Sequence, residues 1–179
     1  MTHSVMSNTR TASAPAVVRT DVEIAAPPDR VFDALTDPRE LAAWWGGDAG
    51  YRTTDWRLDP TPGRAWSART IDRDGREGRL DGEILVADAP HRLEYTWRTS
   101  WDDRESVVRY DLAPARVDGI PGTRVTVTHT AVQGSASVDA SLGWRGVIVC
   151  LAREAAAQRY ILPSMRSVRP WRGRYCRVV

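Results

Sequence analysis

The 179-residue sequence contains no lysine, a single phenylalanine and only two cysteines. All 25 basic side chains are therefore arginines, which fits a GC-rich genome, and 23 acidic side chains reduce the net charge to +2. The arginines are scattered through most of the chain and matched by acids. This distribution argues against a nucleic-acid-binding surface.

Two cysteines are too few for a disulfide framework, and neither has the spacing of a metal site. Cys150 falls in an apolar helical stretch and is expected to be a small buried core residue. No apolar run approaches the roughly 20 residues of a membrane-spanning helix. The start of the chain also lacks the apolar centre of a signal peptide. The sequence thus predicts a cytoplasmic protein without a transmembrane segment.

The length is that of one domain. We divide it into a disordered N-terminus (1–16), a folded domain (17–162) and a basic tail (163–179). The tail carries five arginines interleaved with Trp171 and Tyr175 and includes Cys176, which we expect to be a free thiol. A solvated tail is the simpler interpretation, and binding to phosphates or anionic lipid is the alternative.

Alternating polarity starts at Val18 and predicts a first strand, followed by two short helices at 29–37 and 39–45. A meander of six strands follows, in which we expect Ile84 and Val86 to share a face and residues 119–122 to precede the last strand. Its strands are predicted at 51–58, 64–72, 79–87, 93–97, 106–112 and 123–130. After Gly134 the period becomes helical, which predicts one long helix before Pro163.

An antiparallel sheet with one apolar face needs a cover, and the long helix is the only element large enough. The sequence therefore predicts an α+β fold in which a curved antiparallel sheet of about seven strands wraps around the C-terminal helix. Large aromatic or polar rings fall on the inward parity: Trp56, Trp66, Tyr95, Trp97, Tyr110 and His129. They suit a pocket lining and a plain core equally well, and periodicity does not separate the two.

Three further sets of residues bear on the chemistry. Of Trp44 and Trp45, one is expected in the core and the other near a cavity mouth, while Trp144 and Ile148 lie on the buried stripe of the long helix. Asp55 and Glu83 fall on the outward parity. His129 is the one candidate general acid or base, although a hydrogen-bonded core histidine is the simpler interpretation. No catalytic triad, phosphate loop or clustered metal-ligand set appears.

Five segments occur in an order that resembles a known family. They are APPDRVFDALTDPRELAAWW (26–45), PGRAW (62–66), GEILVADAPHRLEYTW (82–97), GTRVTVTH (122–129) and GWRGVIVCL (143–151). Together they resemble the START-like proteins homologous to the C-terminal domain of the Hsp90 ATPase activator. The resemblance implies a helix-grip fold and often a lipophilic cavity, with members that bind lipids, hormones or polyketides.

The leading hypothesis is a module that binds a hydrophobic or aromatic small molecule, lipid- or polyketide-like, between sheet and long helix, without cofactor or metal. Its predicted contacts are Trp45, Trp56, Trp66, Tyr95, Trp97, Tyr110, His129, Trp144 and Ile148. One alternative is a polyketide cyclase or dehydratase that uses His129 with Tyr95 or Tyr110. Another is a co-chaperone-like role in protein interaction, and a homodimer is possible in each case.

Overall fold

The computed structural model describes residues 17–46, 50–131 and 137–157. The predicted disordered N-terminus (1–16) and basic tail (163–179), with Cys176, lie outside these ranges. The described elements are β1 (Val17–Ile24), α1 (Pro28–Thr36), α2 (Pro38–Trp44), β2 (Tyr51–Arg57), β3 (Ala65–Asp72), β4 (Glu77–Asp88), β5 (Arg92–Thr99), β6 (Asp102–Val117), β7 (Ile120–Ala131) and α3 (Ser137–Ala157). Their order confirms the predicted α+β class.

All seven strands form one curved antiparallel sheet in the order β1-β7-β6-β5-β4-β3-β2. Strands β2 to β7 form a continuous meander, whereas β1 pairs with the last strand. Helices α1 and α2 therefore connect opposite edges of the sheet. The backbone of α3 lies closest to β1, α1 and α2. None of the helices in the described ranges is long and apolar enough to cross a membrane.

Proline and aspartate set the ends of the two short helices. Pro28 occupies the first turn of α1, where its missing N–H is no loss. Asp37 precedes a proline and is extended, which ends α1. The Asp37 carboxylate then accepts a 2.7 Å hydrogen bond from the backbone N–H of Arg39 and caps α2. The apolar face of α1 and the thiol of Cys150 on α3 are buried, as expected.

The predicted start of the last strand, after residues 119–122, is wrong. The chain reverses at Asp118 and Gly119, both of which have positive φ, and β7 begins at Ile120. Pro121 is tolerated in this strand because β1 ends at Ile24, opposite Thr123, so the first residues of β7 pair with β6 alone. Strands β6 and β7 are accordingly longer than their alternating polarity indicated.

The predicted shared face of Ile84 and Val86 is also wrong. A bulge interrupts the β4–β5 pairing between these two residues. One extra residue reverses the alternation, so Ala87 lies opposite the buried Leu93 and packs against the core. Val86 instead pairs with Glu94, on the other side of the sheet.

Gly82 on β4 lies close against the Thr96 backbone and the Trp66 indole, and its replacement by alanine tests the packing there. An added Cβ would lie 1.8 Å from the Thr96 carbonyl oxygen and 2.6 Å from Trp66 Nε1, the two atoms of a 3.0 Å hydrogen bond. We expect Gly82→Ala to lower the free energy of unfolding by about 3 kcal/mol in urea titrations followed by circular dichroism.

Gly63→Ala is the matched control. A Cβ at Gly63 would meet open space, and the remaining cost is its φ of +82°, which is worth about 1 kcal/mol. Equal losses in the two variants would contradict a steric role for Gly82.

A candidate ligand-binding site lined by aromatic side chains

Eight of the nine predicted contact residues form one continuous group of rings, which we call the aromatic cluster. Its members come from seven parts of the fold and are Trp45, Trp56, Trp66, Tyr95, Trp97, Tyr110, His129 and Trp144. Neighbouring ring centroids lie 5.0 to 6.5 Å apart. Ile148 is buried in the same core on α3. Whether these residues contact a ligand stays a prediction.

The cluster runs from a buried end to the protein surface. Trp66, Tyr95 and Tyr110 are at most 4% exposed and form the buried end, where Trp66 also stacks on Trp56 of β2 at 5.9 Å. At the other end, Trp97 and His129 are only half-buried, and both contact Trp144 of α3. Because the α3 backbone lies nearest β1, α1 and α2, large rings span the remaining distance to the middle of the sheet.

Trp45 lies at the centre of the cluster. Its ring stacks on Trp97 at 5.6 Å and meets Trp144 edge-on at 5.9 Å. The expectation that either Trp44 or Trp45 lies at a cavity mouth is wrong, since both are 3% exposed. Trp44 turns toward the helices instead, where its N–H donates to the Ala34 carbonyl at 2.9 Å.

Most buried ring nitrogens in the cluster have an acceptor. Trp66 donates to the Thr96 carbonyl at 3.0 Å. Trp56 donates at 2.9 Å to Thr53 Oγ1, which in turn donates to the Trp45 carbonyl at 3.2 Å. Thr53 is absent from the sequence-based set because a bulge between Thr54 and Arg57 reverses the alternation and brings Thr53 to the side of Trp56.

Trp45 Nε1 is buried and makes no short, well-aligned hydrogen bond to the described residues. The acceptor with which it interacts is the Tyr51 hydroxyl. Burial raises the pKa of the Tyr51 phenol, and the hydrogen-bonding interaction with the Trp45 side chain offsets part of that rise.

Two buried tyrosines, on β5 and β6, form a hydrogen-bonded pair within the cluster. The Tyr95 and Tyr110 hydroxyls are hydrogen-bonded to each other at 3.2 Å. Burial raises the pKa of both phenols well above 10, so both stay protonated. The Tyr51 phenol lies close enough to contribute to the raised pKa of both.

His129 is held in one tautomer by a chain of hydrogen bonds. The Trp144 indole donates to Nδ1 at 2.9 Å, and since an indole only donates, the proton of the neutral ring is on Nε2. Nε2 then donates to Ser106 Oγ at 2.6 Å, and Ser106 donates to the Trp97 carbonyl at 3.3 Å. Ser106 shares the inward parity of Tyr110, which the sequence showed without indicating this role.

This chain bears directly on the acid–base hypothesis. Burial lowers the pKa of His129, which keeps the ring neutral at physiological pH. Both ring nitrogens are already engaged within the protein, so neither is available to a substrate in this arrangement. Asp55 and Glu83 are exposed, as predicted. Buried charged atoms among the described residues belong to the ion pair of Arg30 on α1 and Glu40 on α2, at 2.8 Å, outside the aromatic cluster.

The curved antiparallel sheet, the two short helices after β1 and the C-terminal helix α3 packed on the aromatic cluster define a helix-grip protein of the START-like class. The model of the family described as "Activator of Hsp90 ATPase homolog 1-like protein" matches residues 25–155. The chain belongs to this family.

Solved structures share the fold at low sequence identity. A protein from Rhodobacter sphaeroides superposes with a TM-score of 0.70 at 24% identity, over 83% of this chain and 96% of that one. The AHSA1-like protein from Aeromonas hydrophila gives 0.66 at 24%, over 80% and 94%. The AHSA1 protein from Silicibacter pomeroyi gives 0.64 at 25%, over 80% and 99%. No curated protein matches the chain.

The lowered pKa of His129 predicts a dependence of stability on pH. The pKa of an unperturbed histidine is about 6.5. Below that pH, the unfolded chain binds a proton at His129 that the folded protein does not yet bind. The free energy of unfolding should therefore fall as the pH drops from 6.5 and level off below the folded pKa. Urea midpoints between pH 7.5 and 5 measure this.

His129→Gln is the comparison variant, because the amide can accept from Trp144 and donate to Ser106 without titrating. We expect its urea midpoint to fall less than that of the wild type over the same interval. Identical pH profiles for the two proteins would contradict the assignment.

Removing the Trp144 N–H should remove the hydrogen bond that Nδ1 of His129 accepts. Trp144→Phe leaves Nδ1 buried without a donor, which should lower the free energy of unfolding by about 2 kcal/mol. It should also raise the pKa of His129, as read from its imidazole proton resonances in an NMR titration. Trp101→Phe, at an exposed ring outside the cluster, should change neither quantity.

Proposed function

We propose that this protein binds a small hydrophobic molecule with a flat aromatic part, held between the sheet and α3 against the aromatic cluster. The observation that carries the proposal is the continuous path of rings from Trp66 and Tyr95 in the interior to the half-buried Trp97 and His129 at the surface. A plain core has no need of rings that continue to solvent.

The chemistry of the cluster favours such a ligand. Its surface is mostly aromatic carbon, and each square ångström of apolar ligand surface removed from water contributes about 25 cal/mol. Parallel ring faces, such as those of Trp45 and Trp97 at 20°, suit a flat molecule. Proteins of this fold class commonly bind hydrophobic ligands, which agrees with the proposal.

Access for the ligand requires ring movement, because neighbouring rings already contact one another. Trp97 is the ring best placed to move. It is half-buried, and its N–H donates to none of the described residues. Trp144 is held by its hydrogen bond to His129. We therefore assign Trp97 as the movable side of the site and Trp144 as the fixed side.

The rival hypotheses have less support in the contacts. A cyclase or dehydratase needs a free nitrogen on His129, and both nitrogens are hydrogen-bonded within the protein. A co-chaperone role agrees with the family description, but no contact among the described residues favours it over ligand binding.

The test uses N-phenyl-1-naphthylamine, an uncharged probe whose fluorescence rises in apolar surroundings. We expect saturable binding to the wild type at one site per chain. Trp97→Ala should weaken binding about tenfold, since one ring face contributes roughly 1.4 kcal/mol.

Trp101→Ala is the control, because this ring is 65% exposed and lies outside the cluster. It should bind the probe like the wild type. Absence of saturable binding, or equal weakening by the two variants, would count against the proposed site.

A further inference from the structure

Charge is unevenly divided along this chain. Residues 158–179, which follow α3, contain six arginines and no acidic residue. Because the whole chain has 25 arginines and 23 acids, residues 1–157 hold 19 arginines against the same 23 acids and carry a net charge of −4. A basic C-terminal segment is therefore joined to an acidic domain.

An open groove of about 540 Å³ lies where the end of α1, the start of α2 and the segment after β2 meet. Its charged lining consists of three carboxylates and one cation: Asp33, Asp37, Glu40 and Arg39. The first two carboxylates are exposed and form no ion pair with any described residue. Glu40 lies 2.8 Å from the guanidinium of Arg30. Negative charge therefore exceeds positive charge along this groove.

The groove also has an apolar side, formed by Pro38, Leu58 and Pro60. Leu58 is half-buried against the core, and Pro60 is exposed. An aromatic ring can lie on this side while a neighbouring cation reaches the carboxylates. A single anion-binding ion would use only half of such a surface. Its best partner is a basic peptide with aromatic residues.

We propose that residues 166–177 of the same chain bind in this groove, with arginines against the carboxylates of Asp33 and Asp37 and an aromatic ring on the apolar side. This segment has five arginines, with Trp171 next to Arg172 and Tyr175 next to Arg174. The proposal is independent of the proposed function, because it concerns the outer surface of α1 and α2 and not the aromatic cluster.

The path of the chain favours this occupant. Burial raises the pKa of Glu40, and the negative charges of Asp37 and of Glu154 on α3 add to the rise, although Arg30 opposes it. The last turn of α3 therefore lies close to the groove. The nine residue steps from Ala157 to Arg166 cover up to about 30 Å. Attachment at so short a distance gives the segment a high effective concentration at the groove.

Anionic lipid is the rival partner for an arginine-rich segment with aromatic residues. The surroundings of the segment weigh against it. The chain leaves α3 beside the carboxylates of Asp37, Glu40 and Glu154, on a domain of net negative charge. A negatively charged membrane held close to that surface would be repelled by it, whereas the groove gains from the same charges.

Cys176 offers a position for the test, since it lies at the end of the segment and the other cysteine, Cys150, is buried. A nitroxide label is attached to the native ¹⁵N-enriched protein, and Cys176→Ser confirms that the label is on this thiol. We expect amide signals from Asp33 to Glu40 and of Leu58 to lose intensity until the nitroxide is reduced with ascorbate. In 1 M NaCl, where the Debye length is about 3 Å, most of this loss should disappear.

Two double variants of equal net charge separate the groove from general electrostatics. Asp33→Asn with Asp37→Asn should remove most of the intensity loss, and asparagine at 37 still caps α2. Asp74→Asn with Glu77→Gln is the matched control and should keep it. Both control residues are exposed at the β3–β4 hairpin, whereas Leu58 follows the opposite end of β2.

Each other outcome contradicts the proposal in a distinct way. Intensity loss in a mixture of labelled ¹⁴N protein and unlabelled ¹⁵N protein would show that the segment of a second copy occupies the groove. Equal loss in the two double variants would remove the role of Asp33 and Asp37. If the signals between Asp33 and Glu40 keep their intensity, the segment does not bind there, and cosedimentation with phosphatidylserine vesicles would assign it to anionic lipid.

Discussion

The Trp144 indole makes the contact on which the arrangement of the interior depends. It is the α3 side chain that reaches Trp45, Trp97, Tyr110 and His129 at once. The backbone of α3 approaches only one edge of the sheet and the two short helices. A smaller side chain at this position would leave the space in front of the middle strands without a cover, since interiors lose stability with each unfilled volume.

The hydrogen bond from this indole to His129 also sets the polarity of the site. It fixes the histidine as a neutral ring, passes the remaining proton to Ser106 and ends at the Trp97 carbonyl. An arrangement of this kind provides packing and orientation, and it leaves no basic nitrogen for proton transfer. His129 was the strongest catalytic candidate in the sequence. In the structure it helps to hold Trp97 and Trp144 in position.

The fold follows from the sequence to a large extent, and the details of the site follow less well. Period-two alternation was enough to place Trp66, Tyr95 and Tyr110 on the inward face, because their strands run without interruption there. It failed for Val86 and missed Thr53, because one extra residue in a strand reverses every later position. Bulges leave little trace in the polarity pattern, and the interaction of Trp45 with Tyr51 depends on tertiary contacts that no local pattern contains.

The two faces of the sheet differ in their charged side chains. On the outer face, carboxylates link arginines across strands: Asp81 lies between Arg79 and Arg98, and Asp111 between Arg92 and Arg109. The arginines are exposed and the two aspartates half-buried, so water screens each pair, which adds at most about 1 kcal/mol. The inner face has no charge among its buried residues. A ligand of the proposed kind would therefore be selected on this face by shape and by contact with aromatic carbon rather than by charge.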